Sequence, residues 1–225
     1  VPNSDKEVSD SITGTTGSKT TVTCATGYAG TATFVATCGT GGDFNSITCA
    51  AQACAATQVP NSDKAGSGSI TGTTGSTTTI TCNTGYAGTA TFLATCGNDG
   101  MFNPITCAAE ACTATQVTNS DKAETGSIAG TTGHTVTVTC SSGYSVSGTA
   151  TATATATCSS GTSRTFTTVT CTANTCTAGS VVNSNYEGSE SITGTTGQTR
   201  EVRCNDGYSG GGTATCSTSG TFDID

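Results

Sequence analysis

The chain has 225 residues and a formal net charge of −8, with only 10% charged and 33% apolar residues. Sparse, acidic charge argues against nucleic-acid binding, which needs clustered Lys and Arg. No apolar run is long enough to cross a bilayer, so we expect no membrane span within these residues.

Cysteine is the most informative residue type. The chain has 14 Cys and a single His. Zinc sites use tight Cys-x-x-Cys pairs or mixtures of Cys and His, whereas the closest Cys here are separated by four residues. The spacing favours a disulfide framework over a metal site, and hence an oxidising compartment. We therefore expect an extracellular or cell-surface protein without a metal or cofactor.

One stretch of sequence occurs four times along the chain, and its second copy runs from Ser69 to Tyr86. Its first half, Ser-Ile-Thr-Gly-Thr-Thr-Gly, stands at residues 11–17, 69–75 and 191–197, and at 127–133 with Ala129 for Thr. Its second half, Cys-x-x-Gly-Tyr, ends at Tyr28, Tyr86, Tyr144 and Tyr208. Recurrence at a nearly fixed phase predicts four copies of one structural unit.

The Cys that begins each Cys-x-x-Gly-Tyr motif follows the previous one by 58, 58 and 64 residues. The spacing predicts module 1 at 1–49, module 2 at 54–107, module 3 at 112–171 and module 4 at 176–225, joined by short linkers at 50–53, 108–111 and 172–175. Val1 aligns with Val59 in the middle of a module, and Asp225 precedes the last expected Cys. We therefore expect modules 1 and 4 to be truncated and the sequence to be part of a longer chain.

Strict alternation from Thr135 to Cys140 places Val and Cys on one face and Thr on the other, which predicts a half-buried strand. No helix-length amphipathic segment occurs, so the fold class is all-β, a linear array of small disulfide-stapled antiparallel modules. The Thr-Ala repeat at Thr149–Thr157 predicts a longer strand in module 3. In module 2 we expect Ile70, Ile80, Phe92 and Ile105 in the core. The aromatic residues expected in the cores of the modules are Tyr28, Tyr86, Tyr144, Tyr208, Phe44, Phe102, Phe166 and Phe222.

The order of motifs in a module resembles the sushi domain, also called the complement control protein module. In module 2 the residues that carry the resemblance are Cys54, Gly75, Cys82, Gly85, Tyr86, Gly88, Cys96, Phe102 and Cys107. The chain departs from the family in two ways. Phe44, Phe102, Phe166 and Phe222 stand where the family usually has Trp, and the loop between the third and fourth Cys is short.

The four Cys of a complete module permit three pairings, and the residues alone do not choose between them. The resemblance implies that the first Cys pairs with the third and the second with the fourth. The implied disulfides are Cys24–Cys49, Cys54–Cys96, Cys82–Cys107, Cys112–Cys158, Cys140–Cys171 and Cys176–Cys216. Cys38 and Cys204 would then have partners outside these residues. The two loops closed in module 2 are each worth roughly 3.5–4 kcal/mol in the loop-entropy treatment.

Candidate chemistry is scarce. His134 stands where other modules carry Ser or Gln, which indicates a solvated strand start and no catalytic role. No carboxylate pair recurs in all four modules, so we expect no enzyme activity. The recurring Asn-Ser-Asp at 3–5, 61–63 and 119–121 offers two or three ligands, too few for calcium, and is typical of a turn. Three explanations remain for the exposed Thr residues: high strand propensity, O-glycosylation, or contact with an ordered surface such as ice.

The four-residue linkers are too short to act as flexible tethers, so we expect each module to contact the next. We expect a structural protein that forms a semi-rigid extracellular rod in a filament, appendage or matrix, and that associates with other copies or neighbouring modules. The alternative is an adhesion or ligand-binding array of the receptor or complement-regulator type. Its patch would involve the aberrant Thr149–Thr157, Arg164, Tyr186, Glu187 or Glu190.

Overall fold

The computed structural model describes residues 1–29, 32–87 and 90–225, and it confirms the predicted all-β fold class. Small antiparallel sheets and six disulfides make up the architecture, and the described residues contain no α-helix. Accordingly, the described part of the chain has no helix suited to crossing a membrane. Gly88, one of the residues that carry the sushi resemblance, lies outside the described residues.

The strands are short and occur in the same places in successive modules. In chain order they are β1 (Lys19–Thr23), β2 (Thr33–Thr37), β3 (Thr77–Thr81), β4 (Thr91–Thr95), β5 (Thr135–Thr139), β6 (Tyr144–Val146), β7 (Thr153–Thr157), β8 (Cys171–Ala173), β9 (Thr199–Val202), β10 (Gly212–Cys216) and β11 (Phe222–Ile224). The antiparallel pairs are β1–β2, β3–β4, β5–β7, β6–β8, β9–β10 and β10–β11.

Each module contains one main two-stranded hairpin with one face exposed to solvent, and in module 4 β11 adds a third strand to it. In β5–β7, Val138 lies opposite Ala154 and is fully buried, while Thr137 lies opposite Thr155 and is exposed. β-Branched residues suit such a pleated, half-buried surface. The period of two read from Thr135 to Cys140 is therefore the period of the strand itself.

The core of a module is very small. In module 2 it consists of Val59, Ile70, Ile80 and Ala94 beside the disulfide cysteines, with Tyr86, Phe102 and Ile105 packed against it. Ile70 is 1% exposed because it also pairs with Thr57 of the segment that opens the module. A core of this size needs the disulfides, since so short a chain segment buries little apolar surface.

Two aromatic residues are not where the sequence predicted. Phe92 is 37% exposed: it lies opposite Ile80 near the end of the ribbon, and the buried position of β4 is occupied by Ala94. Tyr208 is 58% exposed. The corresponding Tyr28 and Tyr144 are half-buried because each pairs with a segment that follows the module's last Cys, and Tyr208 has no such pairing among the described residues.

The other aromatic residues predicted for the core are buried or half-buried. Phe166 is buried, and the half-buried residues are Tyr28, Tyr86, Tyr144, Phe44, Phe102 and Phe222.

The predicted long strand at Thr149–Thr157 is also wrong. β7 covers only Thr153–Thr157 and has the same five residues as β2 and β4. The extra residues instead form a turn after β6, in which the Val146 carbonyl accepts the Thr149 N–H and the Val146 N–H donates to Thr151 O. The insertion therefore lengthens a hairpin loop and leaves the main hairpin unchanged.

The chain forms two compact units, Val1–Ala108 and Ala109–Asp225. Unit 1 holds modules 1 and 2, and unit 2 holds modules 3 and 4. The boundary lies within the linker expected at 108–111.

Candidate functional site at the joints between modules

The structure joins the cysteines in six pairs, and these are the pairs that the resemblance implies. The bonds are Cys24–Cys49, Cys54–Cys96, Cys82–Cys107, Cys112–Cys158, Cys140–Cys171 and Cys176–Cys216. Cys38 and Cys204 are free thiols. A framework of this density is typical of proteins in an oxidising, extracellular-type environment.

The disulfides are of two geometrical kinds that recur along the chain. Where the first Cys of a module joins the third, the Cα atoms are 5.9 Å apart, and where the second joins the fourth they are 5.5 Å apart. The linker at 50–53 is flanked by one disulfide of each kind. Cys49 closes module 1 through its bond to Cys24, and Cys54 opens module 2 through its bond to Cys96. Both ends of the linker are thereby held covalently.

Between these two cysteines, the linker of unit 1 is hydrogen-bonded to both modules. The Gln52 N–H donates to Gly27 O of module 1 at 2.9 Å, and the Thr74 N–H of module 2 donates to Gln52 O at 2.8 Å. Ala51 lies opposite Tyr28, and Ala53 lies opposite Thr73. The linker is thus a short strand shared by two modules.

A side chain completes this joint. Thr74 is 7% exposed, and its hydroxyl donates directly across the joint to Gly27 O at 2.7 Å. Gly27 itself has a φ of +85°, and a Cβ added there would lie 2.9 Å from the Asn98 Cα and 3.0 Å from the Thr74 side chain. Only Gly permits both this backbone conformation and this close approach.

Unit 2 contains the same joint. The Asn174 N–H donates to Gly143 O at 2.8 Å, and the Asn174 carbonyl accepts the Thr196 N–H at 2.8 Å. The Thr196 hydroxyl donates to the same carbonyl at 3.3 Å. A Cβ on Gly143 would lie 2.6 Å from the Thr196 Cγ2. The joint therefore consists of the Gly of one module's Gly-Tyr motif, a central linker residue and the second Thr of the next module's Thr-Thr-Gly.

Two equivalent positions form no joint within the described residues and allow a comparison. Thr16, the counterpart of Thr74, is exposed. Gly207, the counterpart of Gly27, has a φ of +88°, and a Cβ added there would meet no atom within 4 Å. The burial of Thr74 and Thr196 is therefore a property of the joint and not of the Thr-Thr-Gly turn.

The recurring Asn-Ser-Asp segments are turns in which each residue has a structural role. Asn61 has a left-handed φ of 59°, as do its counterparts Asn3, Asn119 and Asn183 at 57°, 58° and 55°. The buried Ser62 hydroxyl donates to Val59 O at 2.7 Å and accepts the Lys64 N–H at 2.9 Å. Asn tolerates this left-handed backbone better than most residues, which explains its presence.

The Asp of each turn ties it to the main hairpin. The Asp63 carboxylate accepts the Thr81 N–H at 2.8 Å and pairs with Lys64 at 2.9 Å. The Lys64 ammonium and the Thr81 N–H together lower the pKa of the Asp63 carboxyl. The pKa of Asp121 is lowered in the same way, and that of Asp5 mainly by the Thr23 N–H. These donors occupy the carboxylates that a cation would need.

In module 4 the uncharged Asn185 takes the place of this Asp. Its side-chain carbonyl accepts the Arg203 N–H at 2.9 Å. The tie between turn and hairpin is therefore retained without a carboxylate.

The structure gives several of the residues proposed for a ligand patch partners of their own. Arg164 pairs with Glu110 at 3.2 Å, Tyr186 packs against the core of module 4, and Glu187 accepts a bond from Asn205 at 3.2 Å. Glu190 has a left-handed φ of 60° in an exposed turn. His134 is exposed. Among the described residues, no group of three His, Cys, Asp or Glu is placed to hold a metal ion.

No model of a known protein family matches the chain, and no curated protein matches it either. The joint therefore has to be interpreted from its own geometry. Sequence reasoning predicted contact through the linkers but missed Thr74 and Gly27, although the invariant Thr-Thr-Gly and Gly-Tyr of all four repeats were the available signal.

Proposed function

We propose that the chain is a structural repeat protein that forms a semi-rigid rod outside the cell, as part of a surface filament, appendage or matrix. The observation that carries the proposal is the bonding of Gln52 to both neighbouring modules, at 2.9 Å to Gly27 O and 2.8 Å from the Thr74 N–H. The backbone of a flexible linker is hydrogen-bonded to water, whereas the backbone of this linker is hydrogen-bonded to both modules, as in a β-strand.

Mechanical stiffness follows from the combination of bonds in the joint. Rotation at Ala51 and Gln52 would break backbone bonds and separate Gly27 from Thr74, whose hydroxyl is buried against it. The disulfides at Cys49 and Cys54 anchor the linker on either side. Each joint thus resists both bending and unravelling, as in repeat proteins whose units contact only their neighbours.

The distribution of side-chain chemistry also supports a structural role and no enzymatic activity. The modules repeat the same Thr, Gly and Cys positions, and the charged Asp63 and Lys64 pair with each other in the turn. The resemblance to sushi modules supports the same arrangement of successive units. Exposed strand faces, which carry Thr137 and Thr155 in module 3 and Thr79 and Leu93 in module 2, are the surfaces for self-association and for O-glycans on Thr.

Small-angle scattering of the full chain tests the rod. A compact globule of this length would have a radius of gyration of about 17 Å. We expect a value well above that and a distance distribution typical of an elongated particle. Inserting Gly-Ser-Gly-Ser between Ala51 and Gln52 should broaden the distribution, and the same insertion between Gly41 and Gly42, in an exposed turn, should not. A compact particle, or equal effects of the two insertions, would contradict the proposal.

A further inference from the structure

A groove runs along the segment that opens module 2. One wall of the groove is this opening segment, Ala55–Val59, and the other wall is Met101–Ile105, which follows the third Cys of the module. The groove consists of two depressions that share Thr57 and Phe102. The depression beside Met101 has a volume of about 150 Å³, and the depression beside Ile105 has a volume of about 240 Å³.

The larger depression has an apolar floor. Ile70 and Ala94 are each 1% exposed, and Val59 is 4% exposed. The half-buried side chains of Phe102 and Ile105 complete its lining on the opposite wall. None of the described residues that line either depression is charged. An occupant should therefore present uncharged, apolar side chains, because a charge would lose its hydration here without gaining a partner.

The backbone of the opening segment has one free edge. The Thr57 N–H donates to Ile70 O at 3.1 Å, and the Ile70 N–H donates to Thr57 O at 3.0 Å. Successive residues of a strand direct their backbone groups to opposite sides, so Ala56 and Gln58 direct theirs away from Ile70. Within the part of the chain that the structure describes, these N–H and C=O groups have no hydrogen-bond partner.

The opposite wall also has a free edge. The Gly97 N–H donates to Met101 O at 2.7 Å. The Asn103 N–H donates to Thr95 O at 3.1 Å. Phe102 lies between these two bonded residues, so its own N–H and C=O point to the other side, and they have no partner among the described residues. Both walls therefore carry unpaired strand groups beside an apolar floor, which is a template for one more strand.

We propose that this groove binds an extended segment of a partner protein, uncharged and with branched apolar side chains at alternate positions. The segment lies along the groove and pairs its backbone with the free groups of Ala56 and Gln58. The free groups of Phe102 face its other edge. Main-chain bonds of this kind supply affinity, and the side chains supply specificity. Side chains two residues apart project to the same face of a strand and fill the two depressions.

The occupant is a different protein because the suitable strands of this chain are already in use. Their branched residues are in the cores of the modules, and the strands themselves are paired in sheets. The buried residues are Val22 in β1, Ile80 in β3, Val138 in β5 and Val202 in β9. Among the described residues, none of these strands is free to leave its own module for the groove of a second copy.

Module 3 contains the same groove in a reduced form of about 100 Å³. Its Phe166 is 8% exposed and fills more of the groove than the half-buried Phe102 of module 2. Thr165 takes the place of Met101, which is the only Met in the chain and is 59% exposed. The flexible side chain of Met adapts to the shape of a partner. Module 2 therefore offers the site, and module 3 offers the comparison.

The test titrates the isotopically labelled full chain with the acetylated and amidated peptide Thr-Val-Thr-Val-Thr-Val-Thr. In NMR spectra the amides of Ala56, Gln58 and Phe102 should shift, and hydrogen exchange should show new protection at Gln58 and Phe102. The control peptide Val-Thr-Thr-Val-Thr-Thr-Val has the same composition but no two Val at alternate positions. It should bind at least about ten-fold more weakly, because only one of its Val side chains can enter the groove at a time.

A pair of variants locates the site. Met101→Asp places a charge at the rim of the groove in module 2, and the turn accepts Asp because Asp43 stands at this position in module 1. This variant should bind the peptide at least about ten-fold more weakly. The matched control is Thr165→Asp in module 3, which should change the affinity by less than about two-fold.

Equal binding of the two peptides, equal effects of the two substitutions, or shifts without protection of Gln58 and Phe102 would each overturn the proposal. The absence of any shift up to the solubility limit of the peptide would overturn it too. Protection of the same amides in the chain alone, rising with its concentration, would assign the groove to a second copy and overturn the partner. The rod proposed above does not depend on this groove, since scattering measures it without any peptide.

Discussion

Replacing Thr74 by Val removes one hydroxyl from the joint of unit 1 while keeping a similar shape. The hydroxyl donates to Gly27 O at 2.7 Å from a side chain that is 7% exposed. Gly27 O keeps its second bond, from the Gln52 N–H at 2.9 Å, so the carbonyl is not left without a partner. The expected cost is therefore that of one hydrogen bond, about 1 kcal/mol, and not the larger penalty of an orphaned group.

A loss of about 1 kcal/mol raises the population of the open joint roughly five-fold. Native-state hydrogen exchange of the Gln52 and Thr74 amides measures this population directly, because both N–H groups are bonded only while the joint is closed. Exchange at Ile80, in the core of module 2, should not change. The local effect thus separates opening of the joint from unfolding of the module.

The matched control is Thr16→Val, at the equivalent but exposed position of module 1. It should alter exchange by less than about two-fold, as expected for surface substitutions. Thr74→Ser, which retains the hydroxyl, should restore most of the protection. The reasoning is refuted if Thr74→Val leaves exchange at Gln52 unchanged, or if Thr16→Val produces the same acceleration.

Three further predictions concern the turns and the glycine of the joint. The Asn-Ser-Asp carboxyls have lowered pKa values, so their contribution to stability is present above about pH 4 and is lost as the pH falls through the folded pKa. In hydrogen exchange the Thr81 amide should then lose protection, whereas the Arg203 amide, which is bonded to the uncharged Asn185, should not. Parallel loss at both amides would contradict this. Asn61→Ala should destabilise module 2 by about 1–2 kcal/mol in urea unfolding because Asn61 has a left-handed φ, while Asn61→Gly should be nearly neutral; equal losses would contradict the role of φ. Gly27→Ala and Gly207→Ala should both destabilise the fold, because each places Ala at a positive φ. Only Gly27→Ala should lose about 1–3 kcal/mol more, from its contacts across the joint. Equal losses in thermal unfolding would argue against a close approach at Gly27.

Local patterns in the sequence were sufficient to predict the strand β5 and the burial of Ile70 and Ile80. The alternation from Thr135 to Cys140 reports the pleat of β5, and the even spacing of Ile70 and Ile80 places both on the inner face. Phe92 has the same even phase and is nevertheless 37% exposed, because a two-stranded ribbon has no neighbour to cover its end. The two-residue period identifies which residues point to the inner face of a strand. It does not show how far along the strand other residues cover that face.

The joint could not be predicted from local patterns. Thr73 and Thr74 are adjacent and chemically identical, yet only the second is buried against another module. Their difference depends on a carbonyl 47 residues away in sequence. The predicted burial of Tyr208 was wrong for the same reason, since the Tyr of a Gly-Tyr motif is covered by a segment that follows the module's last cysteine.

The joint uses mainly backbone atoms, one Gly and one Thr, and the central linker residue is Gln52 in unit 1 and Asn174 in unit 2 with the same two backbone bonds. The backbone bonds of the joint therefore do not depend on the side chain of the central linker residue. The Thr hydroxyl differs, since Thr74 donates to Gly27 O at 2.7 Å and Thr196 donates to Asn174 O at 3.3 Å. Excision of residues 54–111, for example, would place Gln52 next to the Thr-Thr-Gly of module 3, with every partner of the joint supplied. A chain that gained or lost a whole repeat in this way would keep the backbone bonds of its joints.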